Sequence, residues 1–300
     1  MPTRRHVLCL VAFAAMFAGS PALAQSKISV VATFSIMADL VSNVGGDRVE
    51  VTALVGPNSD SHVFSPTPAD AKKLAAAKVV FVNGLGLEGW MTRLVSASGS
   101  KAPTFVASTG IKTRKMEDDH HPGRMVTDPH AWQSIANAKI YVANIRDGLS
   151  KADPAAKSAY DANAAAYLAK LDALEQEVKT AIGKIPADHR RIITTHDAFG
   201  YFGGAYSMEF ISPEGVSTDA QPSAMDMAKI IAQIRKQKIP AVFMENITDP
   251  RLMQQIAKET GARIGGTLYS DALSDAKGPA GTYIDMMRSN VSELSKALVP

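Results

Sequence analysis

PAAKSAYDANAAAYLAKLDALEQEVKTAIGK, residues 154 to 184, holds no glycine before Gly183 and is rich in Ala, Leu, Lys and Glu. Its apolar positions Tyr160, Ala164, Tyr167, Leu171, Leu174 and Val178 recur at alternating intervals of four and three, the spacing of one helical face. Pro154 suits a first helical turn, and Gly183 with Pro186 supplies a stop. The spacing therefore predicts a single helix of roughly 30 residues, about 45 Å long at 1.5 Å per residue.

On either side of this rod the pattern changes to short apolar runs alternating with helical stretches, which indicates parallel β/α layers. Before it, strands are expected at Ile28–Ala32, Val49–Val55, Val79–Val82 and Thr104–Val106. The intervening helices are placed at Ile36–Val44, Ala69–Ala77 and Trp90–Ala97. After it, strands are expected at Arg191–Thr195, Met208–Ile211, Ala241–Met244 and Arg263–Leu268, with helices at Ser223–Lys236, Asp249–Thr260 and Thr282–Leu298. The fold class is α/β: two similar lobes with parallel four-stranded sheets, joined by one long rigid helix, with a ligand site in the cleft between them. The expected divisions are a leader, 1–24, an N-terminal lobe, 25–150, the linking helix, 151–186, and a C-terminal lobe, 187–300. No 20 to 50 residue sequence repeat accompanies the likeness of the lobes. A continuous helix resists bending, so the cleft should be largely preformed and its closure small.

Arg4 and Arg5 precede the apolar run Val7–Ala18 and the small residues up to Ala22-Leu23-Ala24, which together read as a secretory signal cleaved after Ala24. The apolar run is too short for a membrane span. Thr3-Arg4-Arg5-His6-Val7-Leu8 loosely matches a twin-arginine signal, so export runs through the general or the folded-protein route, and either delivers the chain to the periplasm. The only cysteine, Cys9, falls inside the leader, which excludes disulfides and thiolate metal sites from the mature chain. Cys9 also lies too early to be a lipidated first residue. The formal charge of +3 falls to about +1 once Arg4 and Arg5 are gone, and with no basic stripe, nucleic acid is excluded as a partner.

Three histidines stand where chemistry is to be expected. His62 lies in the turn-rich loop Gly56–Pro68 after a strand, and His130 lies in Thr127-Asp128-Pro129-His130-Ala131-Trp132, a loop leading into a helix. His196 follows the strand Arg191–Thr195 and is read as opening the next helix. Strand-to-helix crossings form the edge of an open α/β sheet where ligands bind. Each histidine alone reads as an ordinary loop residue, but three in equivalent settings across both lobes read as a site. No His-x-x-x-His or Cys-x-x-Cys spacing supports a metal by itself.

Pro57–Asp70, Asn83-Gly84-Leu85-Gly86-Leu87-Glu88-Gly89-Trp90, Asp128–Trp132, His196–Phe202 and Tyr269-Ser270-Asp271-Ala272-Leu273 resemble, in order, the signature segments of the ZnuA, TroA and PsaA type metal receptors. The resemblance covers essentially the whole mature chain. It implies the solute receptor of an ABC importer, without enzymatic activity, whose metal is held between the lobes by His62, His130, His196 and Asp271. It further implies an inner-membrane permease with its ATPase as partner. A monomer is expected, and loading by a periplasmic metallochaperone is left open.

This chain departs from the family pattern in having Asp60-Ser61-His62 where Asp-Pro-His is common, and in keeping only Glu117-Asp118-Asp119-His120-His121-Pro122 of the histidine-rich loop of zinc members. His120 and His121 are candidates for gathering metal, or simply a solvated loop. Glu245, at the end of a strand, is a candidate for orienting a ligand imidazole. Trp90, Trp132, Phe199 and Tyr201 are candidates for an apolar wall.

Three imidazoles and one carboxylate suit Zn2+, which outcompetes Mn2+ for such donors at equal access. Members resembling manganese receptors tend to have glutamate where His196 stands, so nitrogen there favours Zn2+, with Mn2+ the alternative. Protonation of the ligands below about pH 6 is expected to release metal. A zinc hydrolase would need an open coordination position and a general base, which Asp271 as fourth ligand and the lack of a His-Glu-x-x-His motif argue against. A receptor for an organic solute would place aromatic and arginine groups in the cleft instead of histidines.

Overall fold

The computed structural model describes residues 26–118, 121–215, 217–218 and 222–300. The leader with its Ala24 cleavage point lies outside them, as does His120, and the side chain of His121 is likewise not described. No helix among the described residues is long and apolar enough to cross a membrane.

The N-terminal sheet is built from β1 (Ile28–Phe34), β2 (Val49–Val55), β3 (Val79–Val82) and β4 (Thr104–Val106), in the order β2-β1-β3-β4. All its pairings are parallel. Helices α1 (Ser35–Gly45), α2 (Pro68–Ala76), α3 (Met91–Ser98) and α4 (Ile135–Ala152) connect or flank the strands. A short antiparallel pair, β5 (Lys115–Asp118) and β6 (His121–Thr127), precedes α4. Helix α5 spans Lys157–Gly183, 27 residues, and a 3-10 turn over Pro154–Ala156 leads into it.

The second sheet consists of β7 (Arg191–Ile193), β8 (Glu209–Ile211), β9 (Ala241–Glu245) and β10 (Arg263–Leu268), in the order β10-β9-β7-β8 and again parallel. Its helices are α6 (Gly200–Tyr206), α7 (Ala224–Gln237), α8 (Arg251–Thr260) and α9 (Tyr283–Leu298). Counted within each lobe, both sheets have the order second-first-third-fourth, so the lobes share topology without a sequence repeat. In such a sheet the connections leave the first strand in opposite directions, and the crevice at its carboxyl end is the natural ligand site. Both crevices face the same cleft.

The rod is part of the core. Tyr160, Ala164, Tyr167, Leu171, Leu174 and Val178, the face read from the sequence, are all buried. They belong to a single apolar cluster running from Val30 and Phe81 in the first lobe to Phe243 and Leu268 in the second. A smaller cluster around Ile193, Ile230, Val242 and Ile256 seats α7 and α8 on the far face of the second sheet.

Some expectations are corrected. The strand before His196 ends at Ile193 and the next helix starts at Gly200, so His196 does not open a helix but stands in the loop between them. That loop gives Thr195 and His196 backbone N–H groups to the Glu245 carboxylate. The pair β5 and β6 fills a stretch read as a polar loop, where the signal for antiparallel pairing is confined to a few residues.

Candidate metal centre

His62 and His130 sit in loops built alike. The Asp60 carboxylate accepts the backbone N–H of His62 at 2.8 Å, and Asp128 accepts that of His130 at 2.9 Å. Each is an aspartate bonding to the backbone two residues on, which closes a tight turn. The carbonyl between is also tied down: Ser61 O accepts from Trp90 Nε1 at 3.0 Å, and Pro129 O from Asn83 Nδ2 at 2.9 Å. The serine in Asp60-Ser61-His62 therefore leaves the turn intact, because the aspartate side chain holds it.

From the other lobe come His196, after β7, and Asp271, after β10. One donor atom from each of His62, His130, His196 and Asp271 lies within 4.8 Å of all the others. Asp271 Oδ2 is 2.9 Å from His62 Nε2, 3.3 Å from His196 Nε2 and 3.6 Å from His130 Nε2. His62 Nε2 and His130 Nε2 are 3.1 Å apart. Donors about 2.0–2.1 Å from a tetrahedral Zn2+ would lie about 3.3 Å from one another, within the range of these separations.

The far nitrogens of two rings meet carboxylates. His130 Nδ1 is 3.0 Å from Asp128 Oδ1, and His196 Nδ1 is 2.6 Å from Glu245 Oε2. Glu245 also accepts the N–H groups of Thr195 and His196, at 2.8 and 2.9 Å, so Oε1 fixes the backbone that carries the ring while Oε2 lies against Nδ1. A carboxylate at Nδ1 favours the proton there and leaves the Nε2 lone pair facing the other donors. Asp128 is held in turn by Arg114, 2.9 Å away. The Arg114 guanidinium occupies the place a Cβ on Gly200 would take, so Gly200 lets this arm of the first lobe reach the second.

Asp128, Arg114 and Tyr201 escaped the sequence reading as polar partners of the site. Tyr201 accepts from Arg114 N at 3.0 Å and donates to Asp128 O at 3.1 Å. The repeated Asp-x-His of Asp60–His62 and Asp128–His130 was the available signal for Asp128. Of the expected aromatic wall, Trp132 packs edge-on to the His130 ring at 5.4 Å and Trp90 supports the His62 loop. Phe199 instead stacks on Phe210 at 5.0 Å, in the packing of the second lobe.

Burial opposes the His130 cation, yet the nearby charge of Asp271 and the pairing with Asp128 prevail and raise its pKa to about 9. His196 moves the same way, its own burial being outweighed by Glu245 and Asp271. Asp271 is held well below the usual carboxylate range because His130 and His196 overcome its burial. Metal must displace such protons, so competition from acid is not confined to the region below pH 6 expected from unperturbed histidines.

A test of fit lies in the unsatisfied atoms. His196 Nε2 and both oxygens of Asp271 are buried without a hydrogen-bond partner. Buried polar atoms are normally paired, and a metal cation among the four converging donors would pair them.

Residues 30–297 match the ZnuA family, the periplasmic component A of the zinc-uptake complex. The chain belongs to the ZnuA family. It is 34% identical to the iron-binding protein YfeA of Yersinia pestis over 287 residues, covering 96% of this chain and 91% of that one. It is 32% identical to the manganese ABC transporter substrate-binding lipoprotein PsaA of Streptococcus pneumoniae, covering 91% and 90%. The structure of the periplasmic zinc-binding protein TroA of Treponema pallidum superposes with a TM-score of 0.85 at 31% identity, over 92% of this chain and 100% of that one. Members of the ZnuA family are substrate-binding components of metal ABC transporters rather than enzymes, and this chain is the metal-binding component of such a transporter.

Proposed function

We propose that this ZnuA-family chain is a periplasmic, monomeric receptor that captures Zn2+ through His62, His130, His196 and Asp271 and delivers it to a permease driven by an ATPase. The observation that carries this reading is the set of buried, mutually facing donors, with His196 Nε2 and both Asp271 oxygens otherwise unpartnered. Relatives named for iron, manganese and zinc leave the choice of ion to donor chemistry. Three imidazole nitrogens and one carboxylate form a borderline-soft set for which Zn2+ outcompetes Mn2+ at equal access. Glu245 and Asp128 support it by keeping two of the imidazoles in the tautomer that offers Nε2.

Mn2+ is the second reading. Both Asp271 oxygens are free, so a bidentate carboxylate would raise the coordination number to five, which suits a larger, harder ion.

The test is metal analysis of stripped protein reloaded in a mixture of Zn2+ and Mn2+, repeated with His62→Ala and His196→Ala. One equivalent of Zn2+ in the parent chain, lost in both variants, is expected. Preferential Mn2+ would move the assignment to the second reading, and variants that load like the parent would overturn the ligand set.

A further inference from the structure

Asn58 lies at the tip of the loop after β2, four residues before His62. Its φ is 50°, in the left-handed region that few residues other than glycine adopt and that asparagine tolerates best. In this conformation it faces the opposite lobe with three groups at once. Its backbone N–H donates to Leu273 O at 2.9 Å. Its Oδ1 accepts from Asn246 Nδ2 at 3.2 Å, and its Nδ2 donates to Asp275 Oδ2 at 3.4 Å.

The partners sit beside the donor set of the second lobe. Leu273 is two residues past Asp271, and Asn246 directly follows Glu245, the carboxylate against His196. Asn246 Nδ2 also donates to Ala272 O at 3.2 Å. The segment after Asp271 is thus gripped by the first lobe and by Asn246 together. Asn58 itself is exposed and contributes no metal donor.

From this placement we infer that Asn58 is an interlobe clasp, a positioning residue that sets how slowly the bound metal leaves. The inference rests on the metal-receptor reading above. Separation of the lobes at this edge breaks all three bonds. Because the donors are buried, a bound ion leaves only through such an opening, and loss of the bonds speeds its dissociation.

The experiment uses the mature chain loaded with Zn2+, mixed rapidly with excess chelator, and the reverse mixing for association. Asn58→Gly keeps the backbone donor and the left-handed conformation while removing both side-chain bonds. It is expected to release metal about fivefold faster, the scale that two exposed hydrogen bonds represent. Asn58→Asp, which sets a carboxylate against Asp275, releases faster still. Unchanged release, or a change confined to association or to metal-free stability, overturns the clasp while leaving the receptor reading intact. A parent chain that retains neither Zn2+ nor Mn2+ overturns both.

Discussion

Asp128 joins two jobs in one carboxylate. Oδ1 closes the turn that presents His130 and meets the ring at Nδ1, and Oδ2 pairs with Arg114. Replacing it by asparagine keeps the shape but removes the charge that holds the Nδ1 proton. Removal of a carboxylate behind a ligating histidine typically lowers metal affinity about 10–100-fold. Asp128→Asn should show a loss of that size by competition with a chelator of known affinity, with the circular dichroism spectrum unchanged; parent-like affinity would mean the pairing is incidental. The three histidines that lie together with Asp271 were legible as a group from their loop settings, whereas Asp271 came only from the resemblance. Glu245 was readable only as a possibility, and Arg114 not at all, since its partners are brought to it by the sheet topology and by the bare backbone of Gly200.

Among the elements, α1, α5 and α9 meet at a buried polar point. Asp39 of α1 accepts the N–H of Tyr283 at 2.9 Å, and burial raises its carboxyl to about 6, against the opposing hydrogen bonds. Between its ordinary value of 3.8 and about 6, the folded chain keeps a proton that the unfolded chain has lost. This group therefore favours folding in acid, and its contribution declines as pH rises through that window, then stays constant above it. The penalty near neutral pH is at most about 3 kcal/mol, and less because the side chain is only partly shielded from solvent. Asp39→Asn should raise the urea midpoint at pH 7.5 and gain much less at pH 4.5; equal gains at both values would rule out the charge as the cause. The linking helix was legible from end to end because its apolar period runs unbroken for six positions, all of them buried. The pair β5 and β6 was not, since its apolar alternation is too short to stand out from a polar loop.

At the scale of the molecule, the lobes are joined by a strut and by direct bonds. Trp132 Nε1 and Gln133 Nε2 both donate to Ser270 O, at 2.9 and 2.6 Å, and Tyr283 Oη donates to Trp132 O at 2.8 Å. These contacts tie the backbone beside His130 to that beside Asp271 and oppose a wide separation of the lobes. Small-angle scattering of metal-loaded and stripped protein should give radii of gyration that agree within about 1 Å, as expected for shear or rim movement rather than a wide hinge. A change of several ångströms would show that the strut bends.

Helix α9 is the last element of the chain, yet it packs on α5 and reaches back to Trp132 and Asp39 of the first lobe. Whether the chain leaves a ribosome or a translocation pore, the first lobe emerges before this helix does. Until α9 arrives, Asp39 lacks the Tyr283 N–H, and the faces of α1 and α5 that it covers stay bare. The halves therefore cannot mature one after the other: native packing of the early part waits for this sixteen-residue helix, and a chain cut short of Tyr283 is left with its central seam open.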